Sequence, residues 1–397
     1  MSPARQAAPQ LRICIVYSRV GGGHLSAARA IKAALDDVPP ASAVDTHLVD
    51  AYLECSRWPV SRFPDVYARV ARHHPALWSA FFRATDRRLP VVDVDATLLL
   101  EPFMRAGLQR LLADQRPDVV VSVLPGVNGV LARAAAAVAS RPRLEVVLTD
   151  WYAVHRTWLA RGVQRYTVAT EPARLDCVRY GVDPAIVEVV GLPVRAAFVD
   201  PPSRPRARAA LAASIGLDPT RFTILVMVGA EGSPRSLTNV RVILGLDLDA
   251  QVVVLCGRDD ELRRQVEGMA RRPDTCVLGF RDDVVTLMRA GDLLVTKAGG
   301  ISLAEAFCCG VPTVVADVLA GQESGNLTYA LQRGAVAYAP HPRALGELVA
   351  ALRHDDERRR MLGQRGAALA RPDAARVIAA GLLARYGQGS ALSGSTI

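Results

Sequence analysis

Short, uninterrupted apolar runs recur along the whole chain, and segments with helical spacing of apolar residues separate them. In the first half the runs are Leu11–Tyr17, Val119–Val123, Glu145–Leu148 and Tyr166–Ala169; in the second half they are Phe222–Val228, Gln251–Cys256, Thr275–Leu278, Leu293–Thr296 and Pro312–Ala316. Continuous runs of valine, isoleucine and leucine are typical of parallel strands that helices cover on both faces. The sequence therefore predicts an α/β protein with two doubly wound, Rossmann-like domains.

A proline-rich, charged segment separates the two sets of runs. Residues 200–208 read Asp-Pro-Pro-Ser-Arg-Pro-Arg-Ala-Arg, a composition that suits a linker better than a core element. We predict an N-terminal domain over 1–199, a linker over 200–208 and a C-terminal domain over 209–397, whose last helix can pack back on the first domain. Ligands of parallel sheets bind at the carboxyl ends of the strands, so we expect a cleft where these ends face each other.

Composition excludes several classes of protein. Hydrophobic residues make up 50% of the 397 residues and charged residues 22%, so the chain can fill two cores and is not intrinsically disordered. No apolar run reaches the ~18–20 residues that span a bilayer, and the first ten residues lack the apolar core of a secretory signal. The seven cysteines form no CxxC pair and the seven histidines no zinc-binding spacing. We therefore expect reduced thiols, no metal site and a cytoplasmic location.

The charge of the chain favours anionic partners. Lysine and arginine number 48 against 39 acidic residues, which gives a formal net charge of +9. Such an excess suits phosphate groups or a membrane surface. Only Lys32 and Lys297 are lysines, an arginine bias that is typical of a GC-rich genome.

The first predicted strand is followed by a glycine-rich turn, Gly21-Gly22-Gly23-His24, and by a predicted helix over Leu25–Leu35. Such a turn lets backbone N–H groups approach an oxyanion or a sugar, and it nearly matches a dinucleotide fingerprint, but it also suits a plain tight turn. His24 would sit at the positive end of the helix, where a neutral imidazole could accept a proton near pH 7. The alternative is a histidine that only hydrogen-bonds the loop.

A richer pattern follows the predicted strand Leu293–Thr296. The glycines of this turn and the helix after it would present N–H groups to a diphosphate, while Glu305 could accept two ribose hydroxyls. Lys297 offers a compact charge for a phosphate or a sugar. We assign the following residues to this predicted site for a nucleotide diphosphate and its sugar, called the donor site below: Gly229, Gly232, Ser233, Arg258, Phe280, Lys297, Ala298, Gly299, Gly300, Ser302, Glu305, Gln322, Glu323 and Asn326.

Taken together and in order, these motifs resemble the GT-B glycosyltransferases of the monogalactosyldiacylglycerol synthase and processive diacylglycerol glucosyltransferase group, relatives of MurG in glycosyltransferase family 28. The resemblance covers nearly the whole chain. It is carried by Gly21–His24, Leu148–Asp150 with His155 and Trp158, Gly191–Arg195, Cys256–Arg258, Gly279–Phe280, Lys297–Glu305 and Gly321–Asn326. Two places depart from the pattern: Ala230 replaces a glycine of a GGGEG-like loop, and the AGGIS turn at 298–302 is closer to the bacterial glucosyltransferases than to the plant enzymes.

The resemblance implies an inverting enzyme that moves a hexose or N-acetylhexosamine from a UDP-sugar to a hydroxyl or phosphate of a lipid, either diacylglycerol-like or of the polyprenyl-phosphate type. It implies a donor site in the C-terminal domain and an acceptor site in the N-terminal domain. His24 matches the general base, and Asp150 an orienting group or alternative base. Glu305 matches the ribose carboxylate, and the Gln322–Glu323 pair the donor-sugar contacts. The resemblance implies no cofactor and no metal, which leaves Asp93-Val-Asp95 as surface.

A third of the chain's aromatic residues fall within residues 52–82, interleaved with arginines. This composition suits an interfacial segment on anionic lipid. A buried aromatic cluster with a solvated basic face is the alternative; nucleic acid is disfavoured because no RNA-binding motif is present. We predict peripheral binding to the inner face of the cell membrane, with acceptor contacts from Gly22, Gly23, Trp58, Trp78, Phe81, Phe82 and His155.

Three other functions remain open from the sequence. They are transfer to a soluble metabolite, epimerisation of UDP-GlcNAc on the same fold, and binding of a nucleotide sugar by a regulator without turnover.

Overall fold

Parallel strands form the framework of the structure, a computed structural model that describes residues 10–20, 22–38, 44–86, 96–229, 235–270 and 273–387. Within these ranges, twelve strands form two sheets of six. The first sheet contains β1 Leu11–Tyr17, β2 Val44–Asp50, β3 Val119–Ser122, β4 Arg143–Val147, β5 Arg165–Val168 and β6 Val187–Val189, in the order 2-1-3-4-5-6. The second contains β7 Thr223–Met227, β8 Gln251–Leu255, β9 Thr275–Leu278, β10 Leu293–Lys297, β11 Thr313–Asp317 and β12 Ala337–Tyr338, in the order 12-11-10-7-8-9. All the strand pairs are parallel, which confirms the predicted fold class.

Helices connect the strands in both halves. The first half has α1 Gly23–Asp36, α2 Ala51–Cys55, α3 Phe63–His73, α4 Pro75–Asp86, α5 Glu101–Gln115, α6 Asn128–Ala137 and α7 Glu171–Arg179. The second has α8 Arg204–Ile215, α9 Ser236–Leu244, α10 Asp260–Met269, α11 Val284–Ala290, α12 Gly300–Cys309, α13 Ser324–Gln332, α14 Pro342–His354, α15 Asp356–Leu369 and α16 Ala374–Tyr386. We call α3 and α4 together the arm. Among the described residues, none of the helices is both long enough and apolar enough to cross a membrane.

The nine predicted strands are present, and their ends differ from the prediction by at most two residues. Three observed strands were not predicted, namely β2, β6 and β12, and each lies at the edge of its sheet. An edge strand pairs on one side only and is short or partly exposed, so it lacks the continuous apolar run of a central strand.

The predicted linker extends too far into the second domain. Helix α8 begins at Arg204, with a proline in its first turn, where the missing N–H costs nothing. Ala207 and Leu211 of this helix are buried, and the Arg208 guanidinium pairs with Asp292. The proline-rich composition was therefore misread, because only residues up to about 203 connect the domains and the rest of the predicted linker is helical.

Apolar packing runs through both domains without a break. One buried cluster contains Ile13 and Ile31 of the first domain together with Leu225 and Phe307 of the second. The alternate side chains of the same sheets face two further clusters, one in each domain. Burial of apolar surface therefore stabilises the domain arrangement as well as each domain.

The last helix returns to the first domain and is fixed there by a buried carboxylate. Helix α16 packs against α1, and its Leu382 is fully buried. The Arg385 guanidinium donates to both carboxylate oxygens of Glu145 at 2.9 and 2.8 Å, and the Tyr386 hydroxyl donates to the same carboxylate at 2.9 Å. Glu145 lies on the central strand β4, so this ion pair connects the C-terminal helix to the middle of the first sheet.

We expect Glu145→Ala to lower the free energy of unfolding by about 3 kcal/mol, because it removes both hydrogen bonds between the partly buried Arg385 guanidinium and this carboxylate. Glu188→Ala is the matched control: Glu188 is 42% exposed and lies 4.0 Å from the same Arg385, so its loss should cost less than about 1 kcal/mol. Urea unfolding followed by circular dichroism measures both. Equal losses in the two variants would contradict the assignment.

Candidate functional site

The carboxyl ends of both sheets face a cavity of about 370 Å³ between the domains. Both predicted catalytic residues and most of the predicted donor residues line it, as do two of the predicted acceptor glycines. The predicted residues that the structure brings together here are Gly22, Gly23, His24, Asp150, Gly229, Arg258, Phe280, Lys297, Gly299, Gly300, Ser302, Glu305, Gln322, Glu323 and Asn326. Gly232 and Ser233 lie outside the described residues. Ala298 is fully buried and supports the wall from behind, because its carbonyl accepts from the Asn326 amide at 3.1 Å.

A helix N-terminus faces this cavity from the second domain. Strand β10 ends at Lys297, and α12 begins three residues later at Gly300, with Gly299 as its N-cap. The N-terminus of a helix carries a partial positive charge and N–H groups without partners in the helix, which together suit an anion. The central strand β10 is therefore followed by a helix end whose partial charge suits an anion.

Lys297 is paired inside the cavity. Its ammonium contacts the carboxylate of Glu323, whose other oxygen accepts from the backbone N–H of Leu319 at 3.0 Å. The aliphatic part of the lysine passes against Gly229. A ligand phosphate at this position would have to share Lys297 with Glu323, so the sequence prediction of a simple point charge was incomplete.

Glu305 lies on α12 and is buried against the first domain. The Arg195 guanidinium approaches its carboxylate at 3.6 Å, and the Ser26 hydroxyl hydrogen-bonds it. Burial raises the pKa of Glu305 to about 7, while Arg195 and Ser26 act in the opposite direction. Arg195 also donates to the carbonyl of Asp282 at 2.8 Å, so one guanidinium contacts two elements of the second domain.

His24 is buried in the first turn of α1, and its ring is already hydrogen-bonded. Its Nδ1 lies 3.2 Å from the Thr149 hydroxyl, and the backbone of Val123 provides a second hydrogen bond. Burial lowers the pKa of His24 to about 4, so the imidazole is neutral near pH 7, as predicted, although the main cause is desolvation rather than the helix end.

Asp150 presents a carboxylate to the same space. Its Oδ2 accepts from the Trp158 indole N–H at 2.9 Å, which fixes the side chain while leaving Oδ1 outside that hydrogen bond. Burial raises the pKa of Asp150 to about 6; the hydrogen bond from Trp158 opposes this shift and the nearby charge of Glu323 adds to it. A carboxylate with such a pKa is ionised at pH 7 and basic enough to take a proton.

The backbones of the two domains meet at one side of the cavity. A Cβ added to Gly300 would lie 2.5 Å from the Thr149 carbonyl oxygen, so only glycine fits there. The Trp151 indole donates to the Gly300 carbonyl at 2.8 Å, and the Trp151 backbone N–H donates to Asn326 Oδ1 at 2.9 Å. The amide oxygen and nitrogen of Asn326 thus each make a protein contact, so this residue joins the domains as well as lining the cavity.

The cavity wall of the second domain includes an arginine that lies on an aromatic ring. The Arg258 guanidinium lies 4.0 Å from the centroid of the Phe280 ring, and Phe280 is 47% exposed. A planar cation on a ring gives a flat surface with a charge at its edge.

The five larger side chains predicted to contact the acceptor do not line the cavity. Trp58 is 78% and Phe81 51% exposed on the outer surface. Trp78 packs on Tyr67 with ring centroids 4.7 Å apart. His155 is buried beneath Phe82, with its Nε2 3.0 Å from the Phe82 carbonyl oxygen, and so supports the arm. The aromatic side chains of residues 52–82 therefore serve two purposes: some pack within the arm, and others lie on the outer surface.

The cavity residues that were not assigned a role from the sequence include Ser26, Tyr67, Thr149 and Arg195. Thr149 and Arg195 belong to motifs that were recognised, Ser26 to the helix predicted after the glycine turn, and Tyr67 to the aromatic segment. Their partners are on the other domain or on distant loops, so no local pattern could indicate them. In the described ranges, no three histidine, cysteine, aspartate or glutamate side chains come together as a metal site.

The two halves of the chain match two protein families. Residues 24–194 match the family model described as monogalactosyldiacylglycerol (MGDG) synthase, and residues 230–368 match glycosyl transferases group 1. The chain is 28% identical over 381 residues to the probable monogalactosyldiacylglycerol synthase, chloroplastic, of Nicotiana tabacum, covering 93% of this chain and 70% of the tobacco protein. It is 29% identical to the Spinacia oleracea synthase, covering 85% of this chain and 65% of that protein. The chain thus spans about two thirds of the length of these relatives.

Solved structures with the same architecture include two bacterial proteins. Acinetobacter baumannii MurG has a TM-score of 0.61 at 14% identity and covers 94% of this chain and 99% of its own. UDP-GlcNAc 2-epimerase from Neisseria meningitidis, bound to UDP-GlcNAc, has a TM-score of 0.65 at 14% identity, with coverage of 94% and 100%. At these identities the likeness establishes the GT-B fold and leaves the activity to the site.

Proposed function

Since the chain belongs to the glycosyltransferases of the monogalactosyldiacylglycerol synthase group, we propose that it transfers a hexose from a UDP-sugar to a hydroxyl of diacylglycerol, with inversion at the anomeric carbon. Galactose is the first candidate sugar because the named relatives are monogalactosyldiacylglycerol synthases. The observation that carries the proposal is that Asp150 and the N-terminus of α12 line the same cavity.

The donor would lie along the second domain. The diphosphate would face the N-terminus of α12 and Lys297, the ribose Glu305, and the base the Arg258–Phe280 pair. Ionised Glu305 can accept hydrogen bonds from ribose hydroxyls. The affinity for the UDP-sugar should therefore increase as pH rises through about 7, where this carboxyl loses its proton. Because protein cations and a helix dipole face the leaving diphosphate, we propose that the reaction needs neither a metal nor another cofactor.

The transfer would be a single displacement. The lipid hydroxyl attacks the anomeric carbon while its proton passes to Asp150, and the bond to the diphosphate breaks with its electron pair on UDP. We assign Asp150 rather than His24 as the base, because burial lowers the pKa of the imidazole to about 4 and raises that of the carboxyl to about 6, which makes Asp150 the stronger base. His24 would then shape the acceptor wall and hold Thr149.

The purified protein should convert UDP-galactose and diacylglycerol in anionic vesicles into UDP and a galactosyl lipid. UDP release and lipid extraction with chromatography measure the two products, and reactions with UDP-glucose and UDP-GlcNAc define the donor. Reactions without lipid are the control. Release of UDP from UDP-GlcNAc without an acceptor would instead indicate the epimerase, and release that ignores lipid would contradict a lipid acceptor.

The pH dependence of kcat at saturating donor should distinguish the two candidate bases. With Asp150 as the base, kcat rises with pH through about 6 and is level above, because the carboxylate must be ionised. With His24 as the base, the rise would fall near pH 4 and kcat would be level from pH 5 upward. Asp150→Asn should lower kcat by about 10²-fold or more, and His24→Asn by much less. The opposite ranking would assign the base to His24.

We also propose that the protein docks peripherally on the cytoplasmic face of an anionic membrane through the arm and its neighbours. The exposed apolar side chains there are Leu53, Trp58, Val66, Leu77, Phe81, Leu98 and Leu99, and the exposed arginines include Arg57, Arg62, Arg69 and Arg83. Apolar side chains that insert and cations that bind phosphate are the two signals of interfacial binding. The seven cysteines are free thiols, which supports a reducing compartment.

Replacing Trp58 and Phe81 together by serine should weaken binding to phosphatidylglycerol vesicles roughly tenfold or more, because two aromatic side chains no longer insert. Vesicle co-sedimentation at low and high salt measures the affinity, and high salt should also weaken the wild type. The control replaces Leu331 of α13 and Val377 of α16, two exposed side chains outside the arm, by serine. Binding that is unaffected by the first pair would exclude this surface.

A further inference from the structure

The arm contacts the second domain at the loop that follows β11. The Tyr67 hydroxyl donates to Gln322 Oε1 at 3.0 Å. Next to it, a Cβ added to Gly321 would lie 2.9 Å from the Phe82 ring, and Gly321 has a φ of +90°, so the loop fits the arm only with glycine. The arm of the acceptor half is therefore in direct contact with the loop that carries Gln322.

Tyr67 is held rigidly at this contact. Its side chain is buried, with the ring edge on Trp78 and a second contact to Phe63, whose ring centroid is 6.4 Å away. Both Tyr67 and Gln322 line the cavity. A hydroxyl on a fixed ring gives the hydrogen bond a fixed direction.

The chemistry of the amide makes this direction matter. A glutamine side chain has one acceptor oxygen and one NH2 group with two donors, and rotation by half a turn exchanges them. Because Tyr67 donates to the oxygen, the NH2 group is the part of Gln322 that remains to meet a ligand hydroxyl. Without the phenol, the amide could present either its oxygen or its nitrogen.

We propose that Tyr67 is a positioning residue that determines donor specificity: by fixing the amide of Gln322 it makes the site distinguish hexoses that differ in the orientation of a hydroxyl. This inference rests on the proposed function, since it requires the donor sugar to lie beside Gln322. It means that a residue of the acceptor domain sets the selectivity of the donor site.

The test compares Tyr67→Phe with Tyr52→Phe. Both remove a hydroxyl from one aromatic cluster, in which Tyr52 and Phe63 have ring centroids 5.0 Å apart. The Tyr52 hydroxyl lies beside Gly126 of the first domain, where a Cβ on that glycine would be 3.8 Å from it. Isothermal titration with UDP, UDP-galactose and UDP-glucose gives the affinity of each protein for nucleotide and donor without requiring turnover. Thermal unfolding verifies that both variants fold.

We expect the wild type to prefer one of the two donors, and Tyr67→Phe to reduce this preference by about three- to tenfold while leaving UDP affinity unchanged. Tyr52→Phe should keep the wild-type ratio, and in a Gln322→Ala background Tyr67→Phe should have no further effect on the ratio. A wild type that does not discriminate, or a Tyr67→Phe protein with the wild-type ratio, overturns the inference. Normal donor selectivity without any transfer to diacylglycerol would instead refute the proposed function alone.

Discussion

The close approach of the Thr149 carbonyl to Gly300 fixes the geometry of the whole site. Thr149 directly precedes Asp150, and Gly300 is the first residue of α12, so one backbone contact sets the distance between the proposed base and the anion-binding helix. Trp151 and Asn326 hold the same contact with hydrogen bonds. A side chain at Gly300 would push Asp150 away from the N-terminus of α12. Gly300 is therefore needed for the contact between the domains as well as for the approach of a phosphate.

Three buried glutamates, two of them in the cleft, are paired with cations. Glu305 has Arg195, Glu323 has Lys297, and Glu145 beneath the last helix has Arg385. A buried charge without a partner is costly, so these pairs are strong constraints on side-chain position. Two of the three pairs cross from one domain to the other. Donor binding would then exchange existing partners for ligand groups, and it would change the contact between the domains at the same time.

The sequence was sufficient for the fold and for most of the cavity wall, for a definite reason. Central parallel strands are apolar throughout, and the motifs of the site follow those strands directly, as with Lys297 after β10. What the sequence could not show depends on contacts between distant segments. Tyr67 meets Gln322 across 255 residues, and Asn326 serves Trp151 across 175. The error over Arg204–Arg208 has another cause. Proline is common both in linkers and in the first turn of a helix, so composition alone did not distinguish the two.

The pairing of Lys297 with Glu323 has a practical consequence that follows from the composition of the chain. Lys32 and Lys297 are the chain's two lysines; Lys32 lies on the outside of α1 beside Asp36, and Lys297 lies inside the cleft. Among the side chains, an amine-directed reagent therefore has one target on the surface and one in the cavity. The ratio of modification at Lys297 to modification at Lys32 therefore reports whether the cleft is occupied, and Lys32 serves as the internal standard.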